Sequence, residues 1–301
     1  MNQQFLTELK AVTAENRIFT DEPMKKHTTF RVGGPADILV QPKGTELAAV
    51  IRLCRKYDVP YQVIGNGSNL LVGDRGIRGL VIEMLSKEDE ICVEDDCITV
   101  GAGMLLSKTA NRAAEHGLTG MEFAAGIPGS IGGAVVMNAG AYGGEMKDIL
   151  TAVTVLDQEG NEKILSAEEL ELGYRTSCIL KKGYIVTGAK IKLKHGEETA
   201  IRARMEELKK QRVEKQPLEY PSAGSTFKRP EGYFAAKLIE DAGLKGCSRG
   251  GAQVSEKHAG FVVNKGNATA KDVCELTDYI KSTVMEKFGV KLELEVVKVG
   301  F

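Results

Sequence analysis

The serine at position 225 lies where a hydroxyl could act as a proton donor. It stands between a glycine and a β-branched threonine in the run Ala223–Pro230, shortly after Pro217 and Pro221. The run contains no histidine and no G-x-S-x-G, so it does not indicate a hydrolase nucleophile. A neighbouring lysine or a water could instead polarise Ser225 for proton transfer. The alternative is a serine that only forms a turn.

An arginine next to an aromatic residue suggests a second kind of chemistry. Arg175 follows Tyr174 in the run Gly173–Ser177. Arginine keeps its charge when it is buried, and it binds carboxylates through two parallel hydrogen bonds. Arg175 is therefore a candidate clamp for an acidic substrate. A salt bridge to an acidic residue on the surface would account for it equally well.

A third candidate, Glu295, lies in the apolar segment 291–299, whose composition predicts a last β-strand. Side chains alternate along a strand, so Glu295 shares one face with Val297 and Val299 while Val296 lies on the other. A carboxylate flanked by valine on its own face is expected to be partly buried, and burial would favour a role in proton transfer or hydrogen bonding. The alternative is a glutamate of an edge strand in water.

An uncharged stretch of 22 residues runs from Phe123 to Gly144 in a chain that is 27% charged. It is rich in glycine, which permits positive φ and lets backbone N–H groups approach a ligand. The stretch is therefore expected to form a wall of main chain around something bulky. A membrane span is the alternative, but Pro128 and the polar residues of the stretch argue against it.

A second glycine-rich segment, Gly65–Asn69, follows the apolar run Tyr61–Val63. A small, polar, lysine-free loop after a strand predicts a backbone cradle for a phosphate group. The loop matches no standard nucleotide motif, because Leu70 stands where the dinucleotide fingerprint needs its third glycine and the chain holds no G-x-x-x-x-G-K-[ST]. A tight turn between two strands is the alternative.

The composition limits the class of protein. Forty basic and 41 acidic residues leave a net charge of -1, and no basic block interleaves with aromatic residues, so no nucleic-acid partner is expected. The six cysteines are scattered without a C-x-x-C and no secretory leader opens the chain, which predicts a cytoplasmic protein. The four histidines are too dispersed for a metal motif, so no metal is expected.

The elements that must position these residues follow an α+β pattern, in which helices alternate with short strands and glycine segments come after strands. The predicted helices cover residues 1–20, 47–57, 106–115, 197–215, 234–242 and 269–288. The predicted strands cover residues 36–40, 62–64, 80–84, 92–93, 98–100, 153–156, 163–165, 184–193, 261–264 and 291–299. The helical pattern breaks at the prolines after residue 215, which predicts a domain boundary there. The predicted organisation is an N-terminal helix (1–20), a first domain (21–215) and a last domain (216–301).

Together these segments resemble one family, the flavin-dependent UDP-N-acetylenolpyruvoylglucosamine reductases of bacterial cell-wall synthesis. The resemblance covers about residues 21 to 301. The segments that carry it are residues 27–37, 65–69, 125–133, 173–177, 223–228 and 292–296. Several separated segments in the right order make a chance match improbable.

The resemblance implies an FAD-binding domain with two subdomains, of the vanillyl-alcohol-oxidase type, followed by a C-terminal α+β substrate-binding domain. The two glycine-rich segments would then wrap the FAD pyrophosphate and the edge of the isoalloxazine ring. The residues that the resemblance assigns to FAD are Gly65, Asn66, Gly67, Ser68, Asn69, Gly126, Ile127, Pro128, Gly129, Ser130, Gly132 and Gly133.

The resemblance also implies a reaction and its residues. NADPH would reduce the flavin, which would then reduce the enolpyruvyl ether of UDP-N-acetylglucosamine enolpyruvate in a ping-pong scheme, as a step of peptidoglycan precursor synthesis. By similarity, Ser225 would protonate C2 of the substrate, while Arg175 and Glu295 would stabilise its enolate-like carboxylate.

By similarity, Tyr174, Arg229 and His258 would contact the substrate, the latter two at its UDP part. The short segment from Tyr184 to Leu193 leaves no room for the tyrosine-bearing lid loop of one subgroup, so the chain resembles the lid-less subgroup. A monomer is expected.

Two other functions stay open from the sequence. An FAD-dependent oxidase of the same fold would keep the cofactor and change the substrate. Such enzymes often tether the flavin through histidine or cysteine, and neither residue occurs in Gly65–Asn69 or Gly126–Gly133. A non-catalytic nucleotide-binding protein would be colourless when purified.

Overall fold

The structure of the protein is a computed structural model that describes residues 3–84 and 91–301. In these residues the α-helices are α1 Gln3–Val12, α2 Glu46–Lys56, α3 Leu106–Glu115, α4 Ile131–Val136, α5 Cys178–Lys182, α6 Glu198–Lys215, α7 Ala235–Asp241 and α8 Ala270–Phe288. The strands are β1 Ile18–Pro23, β2 Pro35–Val40, β3 Tyr61–Ile64, β4 Leu70–Val72, β5 Ile77–Glu83, β6 Ile91–Glu94, β7 Cys97–Gly101, β8 Leu118–Thr119, β9 Gly140–Ala141, β10 Gly144–Glu145, β11 Leu150–Leu156, β12 Glu162–Ser166, β13 Ile185–Lys192, β14 Lys194–His195, β15 Ser248–Arg249, β16 Ala252–Val254, β17 Val262–Asn264 and β18 Val297–Val299.

The chain forms two compact units, each made of segments that are separated in sequence. The first unit comprises the described residues of 1–19, 38–66 and 79–212, and the second comprises residues 20–37, 67–78 and 213–301. The linear division predicted at residues 20 and 215 stays a prediction.

The first unit contains a five-stranded antiparallel sheet with the order β12-β11-β13-β7-β6. Alternate side chains of its strands, such as Ile98, Val153 and Ile191, are buried in one core together with residues of α3 and α4. A second core of the same unit joins α1 and α2 to β3 and β5, with Phe5 and Ile51 fully buried. The glycine-rich stretch thus lies in a unit that has two separate apolar cores.

The second unit contains the antiparallel sheet β15-β16-β17, the helices α7 and α8, and a parallel pair of β18 with β4 around one core. The start of α8 has well-satisfied N–H groups, because Thr269 and Asp272 form a capping box. In addition, the Asp74 carboxylate accepts from the N–H groups of Ala270 at 2.7 Å and Lys271 at 2.9 Å. These bonds fix the 67–78 segment to α8.

Most predicted elements are confirmed within one or two residues, and the mixed content confirms the α+β class. The first two residues of the predicted helix over residues 1–20 lie outside the described residues; beyond Val12 the prediction is wrong, because residues 18–23 form β1. The predicted last strand is also wrong in extent, because only Val297–Val299 pair as a strand. Among the helices of the described residues, none is both long and apolar enough to cross a bilayer.

Candidate active site

The start of the Gly65–Asn69 loop meets the uncharged stretch within the first unit. A Cβ added to Gly65 would overlap the hydroxyl oxygen of Ser130, so this close approach requires glycine. The side-chain amide of Asn66 donates to the carbonyl oxygen of Pro128 at 2.6 Å. The two segments therefore form one surface of main chain, which is the arrangement that a backbone cradle needs.

Backbone hydrogen bonds hold the uncharged stretch in place. The carbonyl oxygen of Gly129 accepts from the N–H of Leu106 at 3.0 Å, and the N–H of Gly132 donates to the carbonyl oxygen of Ala102 at 2.8 Å. A Cβ on Gly132 would lie 3.0 Å from the Cβ of Ala102, so a larger residue would push the two segments apart. Ser130 caps the start of α4, because its Oγ accepts from the backbone N–H three residues later.

The outer side of the stretch fits the cofactor that the resemblance implies. Gly126, Pro128 and Gly133 are exposed and Ile127 is half-buried. A Cβ on Gly126 would lie 3.1 Å from the Nη1 atom of Arg212, and burial lowers the pKa of this guanidinium. An uncharged main-chain surface beside a partly desolvated cation suits a dinucleotide with an anionic pyrophosphate, so these residues fit FAD.

The last three residues of the Gly65–Asn69 loop belong to the second unit. Gly67 has φ +59°, and a Cβ there would overlap the carbonyl oxygen of His27, so glycine is required again. Ser68 is half-buried. The side-chain amide of Asn69 donates to the carbonyl oxygen of Glu295 at 3.1 Å. Asn69 therefore supports the segment that carries Glu295.

Ser225 and Glu295 come together in the second unit. Residues 226–228 run antiparallel to residues 293–295 around a bridge between positions 227 and 294. The N–H of Glu295 donates to the carbonyl oxygen of Thr226 at 2.9 Å. Ser225, the candidate proton donor, therefore directly precedes the residue whose carbonyl oxygen holds the backbone of Glu295.

Thr226 fixes the position of the serine that precedes it. Thr226 is buried, its N–H donates to the carbonyl oxygen of Gly260 at 2.8 Å, and its Oγ1 accepts from the N–H of Val262 at 2.9 Å. Gly224 has φ +74°, so the chain turns just before Ser225. Ser225 is consequently exposed between a turn and an anchored residue.

Glu295 is held by its backbone on both sides and is half-buried. The neighbouring valine on its own face does not shield it from solvent, because Val297 is itself 42% exposed. On the opposite face, Leu292 and Val296 are buried. The backbone of Glu295 is therefore held by its N–H bond to Thr226 and by the bond from the Asn69 side chain to its carbonyl oxygen.

Tyr174 and Arg175 form the tip of a two-residue turn in the first unit. The backbones of Gly173 and Thr176 bond to each other in both directions, with N···O distances of 3.1 Å and 3.3 Å. Arg175 has φ +55°, a conformation that is strained for a residue with a side chain. Its guanidinium carbon lies 5.3 Å from the centre of the Tyr174 ring. The two side chains therefore form one cationic and aromatic tip.

Arg229 and His258 lie in the second unit. The guanidinium carbon of Arg229 lies 3.9 Å from the centre of the exposed Phe234 ring. The Nδ1 atom of His258 accepts from the N–H of Gly260 at 3.2 Å, which places the ring proton on Nε2. Burial lowers the pKa of His258, so its ring favours the neutral form.

The structure brings together two sets of the residues predicted from the sequence. In the first unit, Gly65 and Asn66 meet the Pro128–Ser130 part of the uncharged stretch, and in the second, Asn69, Ser225 and Glu295 share adjoining backbone. Sequence reasoning missed Arg212 of α6, although it lies four residues after Leu208 and so continues the spacing of the inward-facing Ile201, Met205 and Leu208.

Comparisons with known proteins agree with this geometry. Residues 36–166 match the family described as FAD binding domain, and residues 216–299 match the family described as UDP-N-acetylenolpyruvoylglucosamine reductase, C-terminal domain. The UDP-N-acetylenolpyruvoylglucosamine reductase of Agathobacter rectalis is 55% identical over 312 residues, which span 100% of this chain and 99% of the relative. That of Clostridium perfringens is 54% identical over 303 residues, with the same coverage.

Solved structures support the same assignment. The crystal structure of UDP-N-acetylenolpyruvylglucosamine reductase from Thermus caldophilus is 41% identical with a TM-score of 0.78, and the match covers 92% of this chain and 97% of that chain. Fold and cradle thus define an FAD-dependent oxidoreductase. The chain belongs to the UDP-N-acetylenolpyruvoylglucosamine reductase family.

A more distant structure bears on the fold alone. A solved alkyldihydroxyacetonephosphate synthase is 17% identical with a TM-score of 0.51, and the match covers 65% of this chain and 44% of that chain. The predicted fold, an FAD-binding domain of the vanillyl-alcohol-oxidase type followed by a C-terminal α+β domain, is confirmed.

Proposed function

We propose that this protein reduces the enolpyruvyl ether of UDP-N-acetylglucosamine enolpyruvate to UDP-N-acetylmuramate, with NADPH as the reductant, in peptidoglycan precursor synthesis in the cytoplasm. The observation that carries the proposal is the 55% identity to a reductase of this name along the whole chain. The continuous strand β13, Ile185–Lys192, supports the lid-less subgroup, because it leaves no room for an inserted loop.

The glycine-rich residues of the first unit would hold the cofactor. Bound FAD supplies the chemistry of accepting hydride from NADPH and passing it to the substrate. Gly65 and the Gly126–Gly133 stretch provide close main-chain approach, and Asn66 braces the two segments against each other. Arg212 provides a positive charge beside Gly126. The chain thus binds and orients the cofactor mainly with backbone.

Ser225 is the proposed proton donor to C2 of the substrate. Its exposure leaves the hydroxyl accessible, and the buried Thr226 next to it limits its motion. A general acid must lie within hydrogen-bond reach of the atom that it protonates, so a fixed backbone favours this role. Loss of such a group costs about a hundredfold or more in rate.

Arg175 and Glu295 are the proposed electrostatic groups for the substrate carboxylate. A guanidinium matches the two oxygens of a carboxylate, and groups fixed in place before charge develops usually contribute the largest catalytic effect. Tyr174 shares the turn of Arg175 and presents an exposed ring. Arg229 and His258 are proposed to contact the UDP part, His258 through its Nε2–H.

The test separates the two half-reactions in Ser225→Ala. Flavin reduction by NADPH is expected to stay intact, while reoxidation by the enolpyruvyl substrate falls by about a hundredfold or more. Stopped-flow absorbance of the flavin measures both steps. Ser282→Ala removes an exposed serine of α8, whose hydroxyl donates to the carbonyl oxygen of Tyr279 at 2.9 Å, and serves as the matched control.

Three outcomes would contradict the proposal. Equal losses in both half-reactions would remove Ser225 from the proton-donor role. Failure of the enolpyruvyl substrate to reoxidise the flavin of the unmodified protein, combined with fast reoxidation by air, would indicate an oxidase instead. A colourless purified protein that takes up no FAD would contradict any flavoenzyme.

A further inference from the structure

Asn138 is a buried polar residue of the uncharged stretch for which the proposed reaction gives no role. It is 1% exposed and has φ +42°, a conformation that asparagine tolerates better than most residues. Its side-chain amide donates to Glu145 Oε2 at 2.5 Å and to the carbonyl oxygen of Gly173 at 3.2 Å. Its Oδ1 accepts from the N–H of Lys147 at 2.9 Å.

These partners define the orientation of the amide without ambiguity. The N–H of Lys147 can only donate, so it must face Oδ1, while the Gly173 carbonyl can only accept and must face Nδ2. A buried amide that makes three hydrogen bonds is expensive to disturb, because each lost partner leaves a desolvated polar group. Asn138 therefore fixes the carbonyl of Gly173 firmly.

Gly173 is the first residue of the turn that carries Arg175. A second bond ties the other side of this turn, because the buried Ser177 hydroxyl donates to the carbonyl oxygen of Val136 at 2.7 Å. The turn tip itself is strained at Arg175, where φ is +55°. A strained conformation persists only where its surroundings determine it, and the bonds from the uncharged stretch to Gly173 and from Ser177 are part of these surroundings.

We propose that Asn138 is a positioning residue that holds the Gly173–Thr176 turn so that Arg175 presents its guanidinium to the substrate carboxylate. The inference rests on the role proposed above for Arg175. It assigns the Asn138 end of the uncharged stretch to substrate chemistry, whereas the Gly126–Gly133 end serves the cofactor.

The main test is Asn138→Asp, which keeps shape and backbone conformation but turns a donor into an acceptor. The new carboxylate would face both the Glu145 carboxylate and the Gly173 carbonyl. Reoxidation by the enolpyruvyl substrate is expected to fall by between about tenfold and about a hundredfold, because small misplacements of a binding group have such effects. Flavin reduction by NADPH is expected to stay unchanged.

Hydrogen exchange provides a readout that does not depend on activity. The amides of Gly173 and Thr176 are bonded across the turn, so the peptide that contains them reports on the turn directly. Exchange in this peptide is expected to quicken by about tenfold or more in Asn138→Asp. Asn138→Gly keeps the positive φ without the amide, and it gives the same comparison if the aspartate variant does not fold.

A double variant separates the Gly173 contact from general stability. In Asn138→Asp/Glu145→Gln, the side-chain amide introduced at position 145 can donate to the new carboxylate, so one buried pair is restored with reversed polarity. The melting temperature is expected to recover, but turn exchange and reoxidation are not, since the Gly173 carbonyl still faces an acceptor. Recovery of reoxidation in the double variant would overturn the proposed contact.

Asp157→Ala is the matched control. Asp157 is also buried in the first unit and accepts from the N–H groups of Asn161 at 2.9 Å and Glu159 at 3.0 Å. This variant is expected to lose stability while keeping the Gly173–Thr176 exchange and the reoxidation rate of the unmodified protein. Slow reoxidation in this control, or normal exchange or normal reoxidation in Asn138→Asp, would overturn the inference.

Arg175→Ala distinguishes failure of the inference from failure of the proposed function. Normal reoxidation in Arg175→Ala would contradict the role of Arg175, and the inference would fail with it. Slow reoxidation in Arg175→Ala together with normal reoxidation in Asn138→Asp would contradict only the inference.

Discussion

The cofactor cradle of the first unit and the Ser225 segment of the second unit are built on opposite principles. In the cradle, the chain removes side chains, so that Gly65 can approach Ser130 and Gly132 can approach Ala102. In the Ser225 segment, the chain places side chains by pairing residues 226–228 with residues 293–295. Added atoms should therefore be the most damaging change in the first region, and a lost hydrogen bond should be the most damaging change in the second.

The largest effect on cofactor binding is expected from Gly65→Ala. The added methyl would overlap the Ser130 hydroxyl, and overpacking of this kind costs about 1 to 3 kcal/mol. The dissociation constant for FAD is expected to rise by about tenfold or more, measured by fluorescence titration of the apoprotein. Gly188→Ala is the control, because its nearest neighbour would be the Val100 carbonyl oxygen at 3.4 Å, an ordinary contact.

A double variant sharpens the result for Gly65. In Gly65→Ala/Ser130→Ala the overlapping oxygen is gone, and the nearest atom to the new methyl is the Cβ of residue 130 at 3.3 Å. FAD affinity is expected to recover in part. Full FAD affinity in Gly65→Ala alone would show that the two segments separate easily and that the cradle does not depend on glycine there.

Smaller effects are expected from alanine substitutions of two asparagines that lie three residues apart in the same loop. Asn66 bonds the Pro128 carbonyl in the first unit, whereas Asn69 bonds the Glu295 carbonyl in the second. Each hydrogen bond contributes about 1 kcal/mol, so each alanine substitution should change either the dissociation constant for FAD or the reoxidation rate by several-fold. Asn66→Ala is expected to weaken FAD binding, and Asn69→Ala is expected to slow reoxidation by the substrate.

Each asparagine variant serves as the control for the other. FAD affinity comes from titration of the apoprotein, and reoxidation comes from stopped-flow measurements on the flavin-saturated protein. If Asn69→Ala weakened FAD binding as much as Asn66→Ala and left reoxidation intact, Asn69 would be a cofactor residue, as the resemblance implies, and not a support for Glu295.

The same contrast explains what could be predicted from the sequence. The cradle was located because glycine and the absence of charge are visible in a single continuous stretch. The bond between Asn69 and Glu295 joins distant segments, and no local pattern reports such a pairing. The predicted last strand is too long for a related reason: alternation of Leu292, Glu293 and Leu294 predicts a strand, but residues 293–295 form only an isolated bridge with residues 226–228. Only Val297–Val299 pair as a strand, with β4.

Single residues were missed where their role depends on distant contacts. Asn138 carries no sequence signal of its own, since an asparagine after a helix is ordinary. Arg212 continues the spacing of Met205 and Leu208, but an arginine near the end of a charged helix also suits an exposed face. Only the contacts with Gly173 and Gly126 distinguish them. Composition and periodicity thus predicted the elements and one wall of the site, whereas tertiary contacts determine which polar residues support it.

The smallest expected effect concerns His258, whose partial burial contrasts with the exposure of Ser225. Burial lowers the pKa of His258 below its ordinary value of 6.5. At pH values near and below 6.5 the unfolded chain therefore binds a proton more readily than the folded one, so stability falls as the pH drops through this range and the penalty is absent above it. Proton NMR should show a titration midpoint below 6.5 for this ring.

His258→Asn identifies the resonance and tests the linkage, since an amide oxygen can still accept from the N–H of Gly260. Between pH 7 and pH 5 the variant is expected to lose less thermal stability than the unmodified protein, by about 2 °C or less. A midpoint above 6.5 would mean that the imidazolium is stabilised, and His258 would then offer a full positive charge to the UDP phosphates instead of a neutral Nε2–H.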